Sequence, residues 1–78
     1  MSETCEQALA EARRLVRTFG SAPEPRRRAQ AVLSGLARAE GWSTPQRAAI
    51  EGFRDWLRGE PAVSALEPRC RALLSALV

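Results

Sequence analysis

Apolar residues recur along this chain at three- and four-residue steps, the spacing that gathers side chains on one face of a helix. Cys5, Ala8, Leu9, Ala12, Leu15, Val16 and Phe19 form the first such stripe and predict a helix from about Glu3 to Phe19. Ser2 is the expected N-cap and Gly20 the expected stop. Glu3, Glu6 and Glu11 lead while Arg13, Arg14 and Arg17 follow, an order that complements the helix dipole.

Ser21-Ala22-Pro23-Glu24-Pro25 reads as a stiff linker, because each proline fixes its own φ and disfavours helix in the residue before it. A second helix is expected from near Pro25 to about Glu40, with Ala29, Val32, Leu33, Leu36 and Ala37 as its stripe and Gly41 as its stop. Thr44 as N-cap and Pro45 as first helical residue start a third helix, running to about Arg58 before Gly59. Its shared face holds Ala49, Ile50, Phe53, Trp56 and Leu57, and Trp42 is expected to fold against the helix ends. In the last segment Val63, Leu66, Cys70, Leu73, Leu74 and Leu77 keep helical register across Pro68. That predicts either a short helix at Pro61 to Leu66 followed by another from Pro68, or one kinked helix. The expected fold class is all-α: a small three- or four-helix bundle with up-down hairpins, its last helix kinked or split at Pro68, in one domain over residues 1–78.

Composition agrees with that pattern. At 78 residues the chain stands near the lower limit for a self-sufficient core, yet 45% apolar and 27% charged residues is a globular balance. The absence of Tyr and scarcity of Val and Ile count against strands. No apolar run approaches a membrane span, and the first residues are acidic where a leader would be basic, so a cytoplasmic protein is expected. Cys5 and Cys70 have neither a second Cys nor a His at metal-ligand spacing and lie on apolar stripes, so buried thiols are expected, with no metal and no cofactor. The chain lacks His, Lys and Tyr, has no glycine-rich phosphate loop and disperses its nine carboxylates, which points away from an enzyme.

Arginine placement is the first candidate for function. All 12 basic residues are Arg, and Arg13, Arg14, Arg17, Arg26, Arg27 and Arg28 face only one acid in their segment, Glu24. Cations in the first turn of helix two oppose its dipole, although proximity to the carbonyl end of helix one would offset this. An up-down bundle would bring Arg54 and Arg58 to the same end, with Asp55 and Glu60 as further local acids. The resulting pole of eight arginines is a candidate partner-binding site for an acidic protein surface or phosphates.

Small residues are the second candidate. Ala31, Gly35 and Ala39 sit four apart on helix two away from its apolar stripe, and Ala48 and Gly52 do likewise on helix three. Mid-helix glycine suggests close backbone approach, so these five residues mark an expected helix-packing or homodimer face. Separately, Ala37-Arg-Ala-Glu-Gly41-Trp-Ser-Thr-Pro45-Gln resembles the turn of a helix-turn-helix DNA reader, although Glu40 and Arg47 stand where such motifs usually carry apolar residues. The resemblance implies a nucleic-acid-binding protein using segment 37–58, with Gln46, Arg47, Arg54 and Arg58 as contacts. The leading expectation is instead a non-enzymatic protein-binding module, an adaptor, small chaperone or inhibitor, whose partner offers an acidic or helical surface.

Overall fold

The computed structural model describes residues 4–78, so the expected start at Glu3 and cap at Ser2 lie outside the described residues. Four helices follow one another: α1 over Cys5–Arg17, α2 over Pro25–Arg38, α3 over Thr44–Arg58 and α4 over Val63–Ala76. A 3-10 turn, Phe19–Ser21, leaves α1. The described residues contain no strand.

Helix starts follow capping chemistry. Thr4 caps α1: its hydroxyl accepts from the Gln7 N–H, while the Gln7 side chain accepts from the Thr4 N–H, a reciprocal box that satisfies two orphan donors. Ser43 caps α3 in the same way with Gln46, so the cap is Ser43 rather than Thr44, and Pro45 falls in the first turn. Gln three residues after the Ser selects it over the neighbouring Thr. Neither α2 nor α4 has a side-chain cap.

The stops differ from expectation by up to two residues. α1 ends at Arg17, and the Thr18 hydroxyl donates to the Arg14 carbonyl at 3.2 Å, taking the role assigned to Gly20. α2 ends at Arg38, which leaves Ala39 extended and buried. Gly41 has φ +103°, a left-handed conformation that glycine adopts without strain. α4 is one uninterrupted helix, so the split at Pro68 does not occur. Pro68 lies in the second turn on the exposed side, and Ser64, whose carbonyl its missing N–H would have met, is also exposed.

Consecutive helices run antiparallel. The Cys5 N–H donates to the Glu40 carbonyl at 3.0 Å, tying the start of α1 to the end of α2. Arg28 joins the opposite ends by donating to the Leu15 carbonyl at 2.9 Å. Gln46 at the start of α3 donates to the Leu77 carbonyl just past α4 at 2.9 Å. α2 and α4 each pack against the other three helices, whereas α1 and α3 scarcely meet. The buried side chains form one cluster, with Phe53, Leu36, Leu66, Leu77, Val32 and Cys70 fully enclosed. Of the expected stripes, Ala37 and Val63 are the members left exposed. Trp42 folds into the core as expected, its indole N–H donating to the Leu36 carbonyl at 2.8 Å.

Candidate functional site

The arginines divide among four settings. Arg28 is internal to the fold: besides the Leu15 carbonyl it reaches the Thr18 hydroxyl at 2.6 Å, so its charge meets the carbonyl end of α1 and removes the conflict with the start of α2. Arg27 pairs with Glu24 at 3.1 Å across one helical turn, and Arg14 pairs with Glu11, whose hydrogen bond with the guanidinium holds the carboxyl below its ordinary range. Exposed pairs of this kind contribute little, because solvent screens them. Arg26 is exposed on the same turn as Arg27.

Arg54 and Arg58 belong to a groove between α2 and α3. Two hollows of ≈ 370 and ≈ 300 Å³ share Leu33, Ala37 and Arg54, so they adjoin along the α2–α3 seam and are treated together as a trough. Its floor is apolar, with Leu33 and Ile50 buried, Leu57 half-buried and Ala37 open to solvent. Trp42 and Gly41 close the end next to the interhelical turn. Arg47, Arg54 and Arg58 stand along the α3 side at seven- and four-residue steps, a spacing that keeps them on one face. Glu40 and Glu51 line the same trough. Arg54 contacts its neighbour Asp55 at 3.6 Å, a surface pair weak enough to yield to a better partner.

Arg13 and Arg17 face elsewhere, into an open cleft of ≈ 510 Å³ between α1 and α4 that also takes in Arg71. The eight arginines expected at one pole therefore do not share a cleft, and Arg71 of α4, which is not among the eight, joins two of them. Only the packing of α4 on α1 reveals that contact, since residues far apart in sequence carry no local signal for it.

The small-residue candidates also separate. Ala39 is buried and lies beyond α2, so it belongs to the core and not to an exposed stripe. Ala31 and Gly35 flank α1, beside Ala8 and Ala12. Gly52 flanks α4 beside Ala72 and Ala76, and Ala48 is exposed. A Cβ placed on Gly35 or Gly52 would meet nothing within 4 Å, so no close approach within this chain requires either glycine.

Gln46 is occupied by structure. Its carbonyl oxygen accepts from the Ser43 N–H at 2.8 Å and its amide donates to Leu77, which leaves little of it to read a base edge. Cys5 is half-buried and Cys70 buried, both as free thiols, and burial pushes the Cys70 thiol up to about 11, with Glu67 adding to the shift. A thiol held protonated in this way is a poor nucleophile. Among the described residues no three of the Cys, Asp and Glu side chains gather as a metal ion would need, and no helix is long and apolar enough to cross a membrane. No protein family, curated protein or solved structure matches the chain.

Proposed function

We propose that this chain is a non-enzymatic protein-binding module whose α2–α3 groove takes an amphipathic, predominantly acidic segment of a partner protein. The observation that carries this reading is the pairing of an apolar floor, Leu33, Ile50 and Leu57, with a wall bearing Arg47, Arg54 and Arg58. A helix laid in such a trough buries its apolar face on the floor and sets carboxylates against the guanidiniums, the arrangement by which helix-in-groove recognition works. Glu40 and Glu51 in the same trough favour a protein over a nucleic acid, because they repel a phosphate backbone but accept an occasional Lys or Arg of a peptide. The engagement of Gln46 and Arg28 within the fold also removes two side chains from any nucleic-acid surface.

Selection of a displayed peptide library on the full chain tests the reading. It predicts enrichment of helix-forming segments with apolar residues at three- and four-residue steps and an excess of Asp and Glu. Arg54→Glu should weaken the selected peptides by about tenfold or more, since reversing one partner of a charge pair replaces attraction with repulsion. Far-UV circular dichroism should not change, because Arg54 is exposed. Peptides without acidic bias, or affinity indifferent to Arg54→Glu, would remove the proposal. Duplex DNA bound in preference to any peptide, with an affinity that falls steeply with salt, would replace it by the nucleic-acid reading.

A further inference from the structure

The cleft between α1 and α4 lies outside the groove and concentrates one sign of charge. Arg13 and Arg17 enter it from successive turns of α1, and Arg71 enters from α4. Among the described residues neither Arg13 nor Arg17 forms an ion pair. Arg71 does, with Glu67 at 3.2 Å one turn earlier on α4, and that pair orients its guanidinium. Cations suit the carbonyl end of α1, and Glu67 offsets Arg71 on its own helix, but neither accounts for the meeting of the two helices' cations in one cleft, where they repel. From that meeting we infer a site for a small organic phosphate monoester at the Arg13–Arg17–Arg71 cleft.

The chemistry of the lining selects that class. One guanidinium satisfies a carboxylate with its two parallel N–H groups, whereas a cleft lined by arginines of two helices, one of them already sharing Glu67, is better matched by an anion with several acceptor oxygens and more than one charge. A phosphate monoester has both. Ser75 in the same cleft adds a hydroxyl donor, while Val16 and Leu74 supply an apolar wall that bare inorganic phosphate would leave uncovered. The volume of ≈ 510 Å³ falls within the range of roughly 300–1,000 Å³ typical of small-molecule sites. A nucleic-acid track would instead spread its arginines along a line matched to successive phosphates.

Chemical-shift titration of the full-length chain with phenyl phosphate, inorganic phosphate and acetate tests the site. Phenyl phosphate should give saturable shifts at Arg13, Arg17, Arg71 and Ser75, inorganic phosphate the same shifts with several-fold weaker affinity, and acetate none. Arg13→Gln and Arg71→Gln should each weaken phenyl phosphate about fivefold or more, through loss of one charge-assisted contact. Both residues are exposed, so both variants should keep their helicity. Absence of saturation at tens of millimolar ligand, equal affinity for acetate, or indifference to both substitutions would overturn the proposal. So would a duplex oligonucleotide binding more tightly than phenyl phosphate with shifts spread beyond the cleft.

Discussion

The two central helices and the two outer ones are held in place by different means. α2 and α4 touch every other helix, and they contribute Val32, Leu36, Leu66 and Cys70 to the fully enclosed core, against Phe53 from α3 and none of comparable size from α1. They begin without side-chain caps, and α4 carries a proline in its second turn. The outer helices α1 and α3 scarcely meet, and both open with a complete capping box. Local sequence signals are thus strongest where tertiary contact is thinnest, and dispensable where burial on several sides imposes the helix. Both candidate surfaces follow the same division. Each lies between one outer and one central helix, and the outer helix supplies most of the arginines.

The sharpest way to break this comparison is to truncate the centre. Leu36→Ala and Leu66→Ala, both at sites with no solvent exposure, should each cost about 2–5 kcal/mol through lost burial and a residual cavity. A chain of 78 residues has a total stability of roughly 4–12 kcal/mol, so either variant should lose a large share of it. Leu9→Ala on α1, where the side chain is half-buried, should cost only about 1 kcal/mol. Urea titrations followed by circular dichroism measure all three. Equal costs at the centre and the edge would mean that α1 is as deeply integrated as α4.

A second test uses alkaline pH. The chain has no His, Lys or Tyr, so few side chains compete with the Cys70 thiol as a source of pH dependence above neutrality. Burial raises the Cys70 thiol from 9.0 to about 11. The folded state therefore keeps its proton where the unfolded state loses it. The Cys70 contribution should be constant from neutrality to about pH 9, and stability should then fall by up to about 2–3 kcal/mol between pH 9 and 11. Cys70→Ala should be less stable throughout, because of the cavity, but flat over the same window. A wild-type profile as flat as that of the variant would mean that Cys70 is more hydrated than its enclosure implies.

Much of the fold was legible because apolar spacing is a local property that burial then uses directly. Every stripe residue of α1 is buried or half-buried, and the register of α4 across Pro68 correctly implied one continuous face. Helix ends are less legible, because a cap is a pair of residues and not a single one. Thr4 with Gln7 and Ser43 with Gln46 set the starts of α1 and α3, whereas a glycine or proline nearby marks only the neighbourhood of an end. The candidate sites were legible only in part. Composition can find arginines but cannot tell Arg28, turned inward onto the end of α1, from Arg13 and Arg17, which meet Arg71 only once α4 has packed.

Capping offers a smaller and more local test. Ser43→Ala should cost about 1 kcal/mol by exposing the orphan N–H groups at the start of α3, and Gln46→Ala a similar amount because it also severs the link to Leu77. Glu24→Ala at the uncapped start of α2 should cost less than about 0.5 kcal/mol, since that side chain makes no cap hydrogen bond. Thermal melts of the three variants decide whether caps matter more on the outer helices than on the central ones.

The smallest expected effect concerns Gly35 on α2 and Gly52 on α3. Each lies within a helix with open space where a Cβ would stand, so Gly→Ala at either position should stabilise the isolated chain by about 0.5–1 kcal/mol through reduced freedom of the unfolded state. Gly35→Leu separates two reasons for the glycine. If a second copy of the chain docks against Ala31 and Gly35, the bulky side chain should convert a dimer to a monomer in light scattering while helicity persists. An unchanged mass would remove the expectation of a homodimer face at Ala31 and Gly35. If such a dimer rests on close backbone approach at Gly35, Gly35→Ala should already weaken it while stabilising the monomer, an opposition of sign that stability and mass measured on one sample would reveal.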